Sequence, residues 1–251
     1  MIINSVVQDV NGGSGGSTMY GAPVNAFIGP LDANGRILGP TSTVMPDLTG
    51  VRIVDEYGLC SRFKGSAMAG QLHLYAEDIG TYGLSHAFEN CPNITKAVFH
   101  NLTTINTWAA MSEVLQGCTG LVELDLSDLV TITSAGGAGV ASICRNCTSL
   151  TTVKFTSLQE ISGNYCFSNA FQGCTSLQRI DFPALTTTYT NAFMIANSSA
   201  PFPSNCTVHF PAALDPSVST VISSMYGYNP QTAYTPPYYG NFGAGSLVFD
   251  L

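Results

Sequence analysis

The sequence predicts a solenoid of short stacked repeats, mostly strand and loop, with a parallel β-sheet along one side. Two observations carry this prediction. A pattern of 19 residues returns four times, and each copy holds a short segment in which apolar and polar residues alternate, as on a strand with one buried face. One copy is too short to bury its own apolar face, whereas a stack of copies buries a continuous core.

The four clear copies align on a cysteine, which we call the anchor position. The anchors are Cys91, Cys118, Cys147 and Cys174. Their spacings are 27, 29 and 27 residues. Two weaker copies place Ser66 and Cys206 at the anchor, and residues 44–53 look like the second half of one further copy. We therefore expect about six to seven repeats within residues 41–210.

The segments on either side are expected to cap the stack. Residues 1–40 are interpreted as an N-terminal arm with a Gly-rich linker (Asn11–Ser17) and a cap that contains a turn at Asp32–Arg36. Residues 211–251 are interpreted as a C-terminal cap. Within it, a short helix is predicted over Leu214–Tyr228, followed by a Tyr/Pro/Gly loop and a final strand in the sequence SLVFDL.

The repeat pattern resembles the BspA-like (Treponema-type) leucine-rich repeat, whose motif is A-F-x-x-C-x-x-L-x-x-I-x-[LF]-P. In one copy the matching residues are Ala170, Phe171, Cys174, Leu177, Ile180, Phe182 and Pro183. Ser66 at an anchor and Cys144 at the position of Phe171 depart from the motif. The resemblance implies a curved leucine-rich-repeat solenoid used for adhesion or recognition, with no catalytic residues to carry over.

The flanking segments resemble those of leucine-rich-repeat proteins encoded among phage and prophage tail genes. This resemblance rests on the Gly-rich start, on the stretch YGAPVNAFIGPLDANG and on the closing stretch NFGAGSLVFDL. It implies a recognition protein attached to a virion, held to other tail proteins by the N-terminal arm.

The composition argues against several classes of protein. Charged residues make up 10% of the chain, and the net charge is −8 with only eight Lys and Arg residues, so no basic stripe is available to neutralise phosphates. No apolar run reaches the roughly 18 residues of a membrane span, and the first residues lack the features of a secretory signal peptide. We expect neither nucleic-acid binding nor membrane insertion.

The anchor cysteines are predicted to be structural. Together they should form an inward column of thiols, here called the thiol column: Cys91, Cys118, Cys147, Cys174 and Cys206. Cysteine packs well as a small buried side chain. The sequence CRNC at Cys144–Cys147 is typical of redox and zinc sites, but Cys144 occupies a Phe position of the repeat and no second pair accompanies it. We expect no metal, no cofactor and no enzymatic activity.

Two rows of side chains are predicted to face solvent, and each admits a structural or a binding role. The charged strip alternates in sign across the strands and comprises Lys96, Glu123, Asp125, Lys154 and Arg179. The aromatic row follows the end of each repeat and comprises Tyr57, Tyr82, Trp108, Tyr165 and Tyr189. Cross-strand ion pairs would stabilise the sheet by about 0.2–1 kcal/mol each, whereas aromatic rings with polar edges suit glycans and protein interfaces.

These features favour a non-enzymatic recognition module on a phage tail or tail-like particle that binds a host-surface glycan or protein. Two alternatives stay open: a bacterial cell-surface adhesin with the same repeats, and a purely structural virion component. The expected location is the virion or an extracellular particle, or alternatively the bacterial surface. By analogy with other tail-attached recognition proteins, a homotrimer is one expected assembly.

Overall fold

The structure, a computed structural model, describes residues 5–7, 17–20, 52–53, 58–75, 79–133, 137–163, 165–188, 192, 202–214 and 246–251. These residues form fourteen strands and one 3-10 helix. The strands are β1 (Ser5–Val7), β2 (Ser17–Tyr20), β3 (Arg52–Ile53), β4 (Gly70–Tyr75), β5 (Ile94–His100), β6 (Thr104–Ile105), β7 (Glu123–Asp125), β8 (Thr131–Ile132), β9 (Thr152–Lys154), β10 (Glu160–Ile161), β11 (Arg179–Asp181), β12 (Thr187–Thr188), β13 (Thr207–Phe210) and β14 (Ser246–Phe249). The 3-10 helix spans Ala212–Leu214.

Two parallel sheets run along the stack of repeats. The larger has the order β14-β13-β11-β9-β7-β5-β4, and the smaller has the order β12-β10-β8-β6. Four repeats contribute one strand to each sheet, and β4 and β13 extend the larger sheet in the same register. This arrangement confirms the predicted leucine-rich-repeat solenoid, with six repeat strands in the larger sheet and β14 added at its edge.

The third side of each repeat is a run of turns rather than a helix. Alternate amides donate to the next repeat, as in Phe88 N to Val114 O at 2.9 Å, while the amides between them bond three residues back within the same turn. Every fourth residue of these turns has a positive φ, for example Tyr82, His86 and Asn90. Among the residues that the structure describes, none with a positive φ is β-branched, in keeping with the steric limits of that region.

Like side chains stack on like inside the solenoid. Phe155, Phe182, Phe210 and Phe249 form one ladder, with successive ring centroids 5.2, 5.4 and 5.7 Å apart. Burial of each such ring contributes about 1.5–3 kcal/mol. The alternating pairs Ile180 with Phe182 and Leu124 with Leu126, predicted to face inward, are at most 1% exposed. The stack is therefore held together by apolar columns that run from repeat to repeat.

The terminal segments differ in how much of them the structure describes. Arg52–Ile53, the end of the predicted additional copy, form β3, which pairs antiparallel with β2 in a three-stranded sheet and not with the repeat strands. Ser17 of the predicted linker pairs in β2 with Val7 of β1. The SLVFDL segment forms β14. The rest of the additional copy, the Asp32–Arg36 turn and nearly all of the predicted cap helix lie outside the described residues.

Within the described part of the chain, no helix has the length and apolar character needed to cross a membrane.

Candidate functional site

The thiol column lies in the interior. All five of its cysteines are 0% exposed, and so is Ser66 at the first anchor. Four of the thiols donate to a carbonyl of the preceding repeat, three residues before that repeat's anchor; for example, Cys118 Sγ lies 3.1 Å from Phe88 O and Cys174 Sγ lies 2.9 Å from Cys144 O. These four thiols therefore each link two repeats by a hydrogen bond, a role that the sequence pattern alone did not reveal.

Burial makes several of the thiols poor nucleophiles at neutral pH. Desolvation raises the pKa of Cys91 to about 11 and that of Cys206 to about 12, because burial disfavours the thiolate. Within the CRNC sequence, Cys144 and Cys147 are both buried free thiols. Desolvation also raises the pKa of Cys144 well above its ordinary value. The structure thus assigns this sequence to the packed core.

The charged strip lies on the outer face of the larger sheet, and its members pair with one another or with Asp181. Lys154 Nζ contacts Glu123 Oε1 at 2.6 Å and Asp125 Oδ2 at 3.3 Å, and Lys96 Nζ lies 3.2 Å from the same Glu123 oxygen. Arg179 Nε lies 2.8 Å from Asp181 Oδ1 on its own strand. Three positive and three negative side chains therefore balance one another across four strands.

The aromatic row divides into two parts. Tyr82 and Trp108 contact each other edge to face, with ring centroids 4.8 Å apart and planes at 74°; they are here called the aromatic pair. Tyr165 occupies the same repeat position as Tyr82, nine residues before the anchor, but Ala109 and Ala138 occupy that position in the two intervening repeats. At about 4.8 Å per repeat, Tyr165 lies roughly 14 Å along the stack from Tyr82. Tyr57 and Tyr189, the remaining members of the row, lie outside the described residues.

Exposure distinguishes Trp108 and Tyr165 from the core rings. Trp108 is 45% exposed and Tyr165 is 36% exposed, while the phenylalanines of the interior ladder are largely buried. Trp108 is the only tryptophan of the chain. A large ring that remains half exposed stabilises the fold little but can contribute binding energy when a partner covers it.

A polar cluster on the turn side, which the sequence did not predict, joins three repeats. His86 Nδ1 lies 2.6 Å from Glu89 Oε2 and 3.3 Å from Glu113 Oε2, and Lys64 Nζ lies 2.7 Å from Glu89 Oε2. We call these four residues the His–Glu cluster. Glu89 is only 6% exposed. Burial acts to raise the pKa of Glu89, but the hydrogen bonds from Lys64 and His86 outweigh it and leave the pKa lowered.

A second contact absent from the sequence interpretation lies on β4 and β5. His73 Nδ1 and His100 Nε2 are 2.9 Å apart, and Tyr75 stacks on the His100 ring with centroids 4.4 Å apart. His100 lies two positions beyond the residue that faces His73, because the register pairs His73 with Val98. His73 and His100 are therefore diagonal neighbours on adjacent strands, and this relationship can be found only from the strand register.

Comparison with known proteins assigns the family. The model of the BspA type leucine rich repeat region matches residues 77–170 and 146–213 in six copies, which is more than half of the chain. The chain therefore belongs to the BspA-type leucine-rich repeat family, and repeats of this type indicate a surface or adhesion-type repeat protein. No curated protein matches the chain, and no solved structure does.

Proposed function

We propose that this protein is a non-enzymatic recognition module, carried on a phage tail or tail-like particle, that binds a host-surface glycan or protein through the aromatic pair. The observation that supports this most directly is the half-exposed Trp108, held edge to face against Tyr82 on the turn side of the solenoid. Aromatic anchors of this kind dominate the binding energy of many interfaces.

The charged strip supports a structural role better than a binding role. Its carboxylates already accept contacts from its own lysines and arginine, and exposed ion pairs of this type contribute about 0–1 kcal/mol. A partner that docked there would have to replace these contacts. Trp108 gives up less on binding, because its exposed ring surface is in contact with water.

Binding of the purified chain to host cells and to an array of host-surface glycans tests the recognition function. The double substitution Trp108→Ala with Tyr82→Ala should weaken binding by about 2 kcal/mol or more, roughly 30-fold. The matched pair Lys96→Ala with Glu123→Ala should have a smaller effect that disappears in high salt. Because Trp108 is the only tryptophan, its fluorescence reports ligand contact directly in the unmodified protein.

Melting curves provide the control for these variants. If the aromatic double variant unfolds, the rings belong to the packing and the proposal for this site is wrong. If it folds normally and binds as well as the unmodified protein, the recognition surface lies elsewhere. Glycan degradation by the purified chain would overturn the non-enzymatic assignment.

The particle assignment has its own test, independent of the binding site. Particles purified from the source should contain the chain on an immunoblot, and its absence from them would exclude the tail function. The family match equally supports a bacterial surface adhesin. In that case the chain is found on intact cells without particle production. A purely structural particle component would be present in particles and show no affinity for host cells.

A further inference from the structure

The His–Glu cluster brings three metal-binding side chains from two consecutive repeats to one place. One ligand atom each from His86, Glu89 and Glu113 lies within 4.8 Å of the others, and these residues are the only such group in the part of the chain that the structure describes. We propose that this cluster binds a divalent transition-metal ion such as Zn²⁺, with the ammonium of Lys64 occupying the cation position when no metal is bound.

The distances fit a metal of this size. Zinc bonds to histidine nitrogen and carboxylate oxygen are about 2.0–2.2 Å, so two ligands of a tetrahedral ion lie roughly 3.4 Å apart. The separation of His86 Nδ1 and Glu113 Oε2 is 3.3 Å. The separation of His86 Nδ1 and Glu89 Oε2 is 2.6 Å, which is a hydrogen-bond distance. Coordination therefore requires loss of the proton that His86 Nδ1 and Glu89 Oε2 share, and a small increase in the distance between these two atoms.

The charges favour a dication. With a neutral imidazole, the carboxylates of Glu89 and Glu113 carry two negative charges, and Lys64 neutralises one of them. A divalent ion would neutralise both. The backbone holds the cluster in place, because His86 N donates to Ser112 O and Phe88 N donates to Val114 O, which fixes the two repeats relative to each other. Little rearrangement of the main chain is needed.

Lys64 can leave the site at low cost. Its side chain is 47% exposed, whereas that of Glu89 is 8% exposed. The ammonium can therefore swing into solvent and remain hydrated there. Glu89, in contrast, stays inside and requires a positive partner, because an unpaired buried carboxylate is strongly unfavourable. Metal and Lys64 should compete for the same oxygen.

The donor set selects the class of metal. Imidazole nitrogen with two carboxylate oxygens suits zinc and its transition-metal neighbours, while Mg²⁺ and Ca²⁺ prefer oxygen ligands alone. With three protein ligands, a tetrahedral ion would have one coordination position left for water or another ligand.

Calorimetric titration of Zn²⁺ into tag-free, chelator-treated full-length protein tests the proposal. The unmodified chain should bind one equivalent, and Lys64→Met should bind more tightly because the competing ammonium is gone. His86→Ala should lose affinity by more than the roughly 10–100-fold that changes around a metal site's ligands cost. Mg²⁺ should give no binding. The matched control is the double variant His73→Ala with His100→Ala, which removes the other imidazole pair and should bind Zn²⁺ normally.

Melting curves give a second readout. Lys64→Met leaves Glu89 without its lysine and should melt earlier than the unmodified chain, and Zn²⁺ should restore its melting temperature. If His86→Ala does not fold, Glu113→Gln provides the same comparison. The absence of Zn²⁺ binding in both the unmodified chain and Lys64→Met would overturn the proposal. Binding that survives His86→Ala or Glu113→Gln and is lost in the His73/His100 variant would assign the metal to the strand face and overturn it equally.

Discussion

The side-chain oxygen of Asn90 occupies the space where a Cβ on Gly117 would lie. The same relationship recurs two repeats further on, between Asn146 and Gly173. All four residues precede an anchor and have a positive φ. The alternation of Asn and Gly at this position is therefore a steric pairing between neighbouring repeats, in which each Asn amide fills the gap that the next Gly leaves.

Gly117→Ala should consequently destabilise the protein more than a glycine replacement in open space. The added methyl group meets the Asn90 side chain, and alanine also pays about 1–2 kcal/mol for the positive φ. We expect a total loss of about 2–4 kcal/mol in the free energy of unfolding, measured by denaturant titration.

Gly65→Ala is the matched control for this substitution. Gly65 has the same φ of 72° as Gly117, but no atom lies within 4 Å of its added Cβ. Gly65→Ala should therefore lower the free energy of unfolding only by the amount that the positive φ costs alanine. The double variant Asn90→Gly with Gly117→Ala should recover the steric part, because glycine tolerates the φ of 57° found at Asn90. Equal losses for the two glycine substitutions would contradict the pairing.

The thiol column leads to a labelling prediction. Seven of the eight cysteines are buried and free, and Cys60 alone is partly exposed. An aromatic disulfide reagent should therefore modify one thiol per native chain, and Cys60→Ser should abolish that reaction. The buried thiols should stay unmodified even at pH 9, because desolvation raises the pKa of Cys91 to about 11 and that of Cys206 to about 12. Rapid labelling of all anchors would mean that the repeat register is wrong.

The repeat frame and the inward columns could be predicted from the sequence because they recur at a fixed position. The anchor cysteines, Leu124 with Leu126, and Ile180 with Phe182 all identify the buried face by alternation alone. The His–Glu cluster could not be predicted in the same way. It depends on the contact of His86, five residues before the anchor, with Glu89, two residues before it. The repeat pattern does not specify the geometry of the turns in which these two residues lie.

The charged strip should make the stability of the protein depend on pH in the acid range. Hydrogen bonding from Lys154 is the largest cause of the lowered pKa of Glu123, with Lys96 acting in the same direction against desolvation. A carboxyl group whose pKa is lower in the folded state stabilises the protein above its unfolded pKa of about 4.3. That contribution is lost as the pH falls through the lowered pKa of Glu123 in the folded protein.

Lys154→Met should therefore reduce the difference in melting temperature between pH 7 and pH 3. The effect should be small, since exposed pairs contribute about 0.2–1 kcal/mol each. Arg179→Met provides the comparison, because Arg179 contacts only Asp181 in the strip and its side chain is more exposed. An acid transition in Lys154→Met identical to that of the unmodified chain would show that the strip contributes nothing measurable.

The gap between Trp108 and Tyr165 gives the most specific test of the proposed binding surface. Ala138 lies in the one repeat between these rings, at the position that Tyr82 and Tyr165 occupy in their own repeats. A tyrosine at residue 138 should be tolerated, because Tyr82 and Tyr165 adopt φ values of 55° and Ala138 has a φ of 62°. Ala138→Tyr should thus fill the gap without a change in melting temperature. If the ligand inserts between the rings, binding to host cells should fall about tenfold or more, as expected for a blocked anchor pocket. Unchanged or tighter binding would show instead that the ligand lies across the outer edges of the rings.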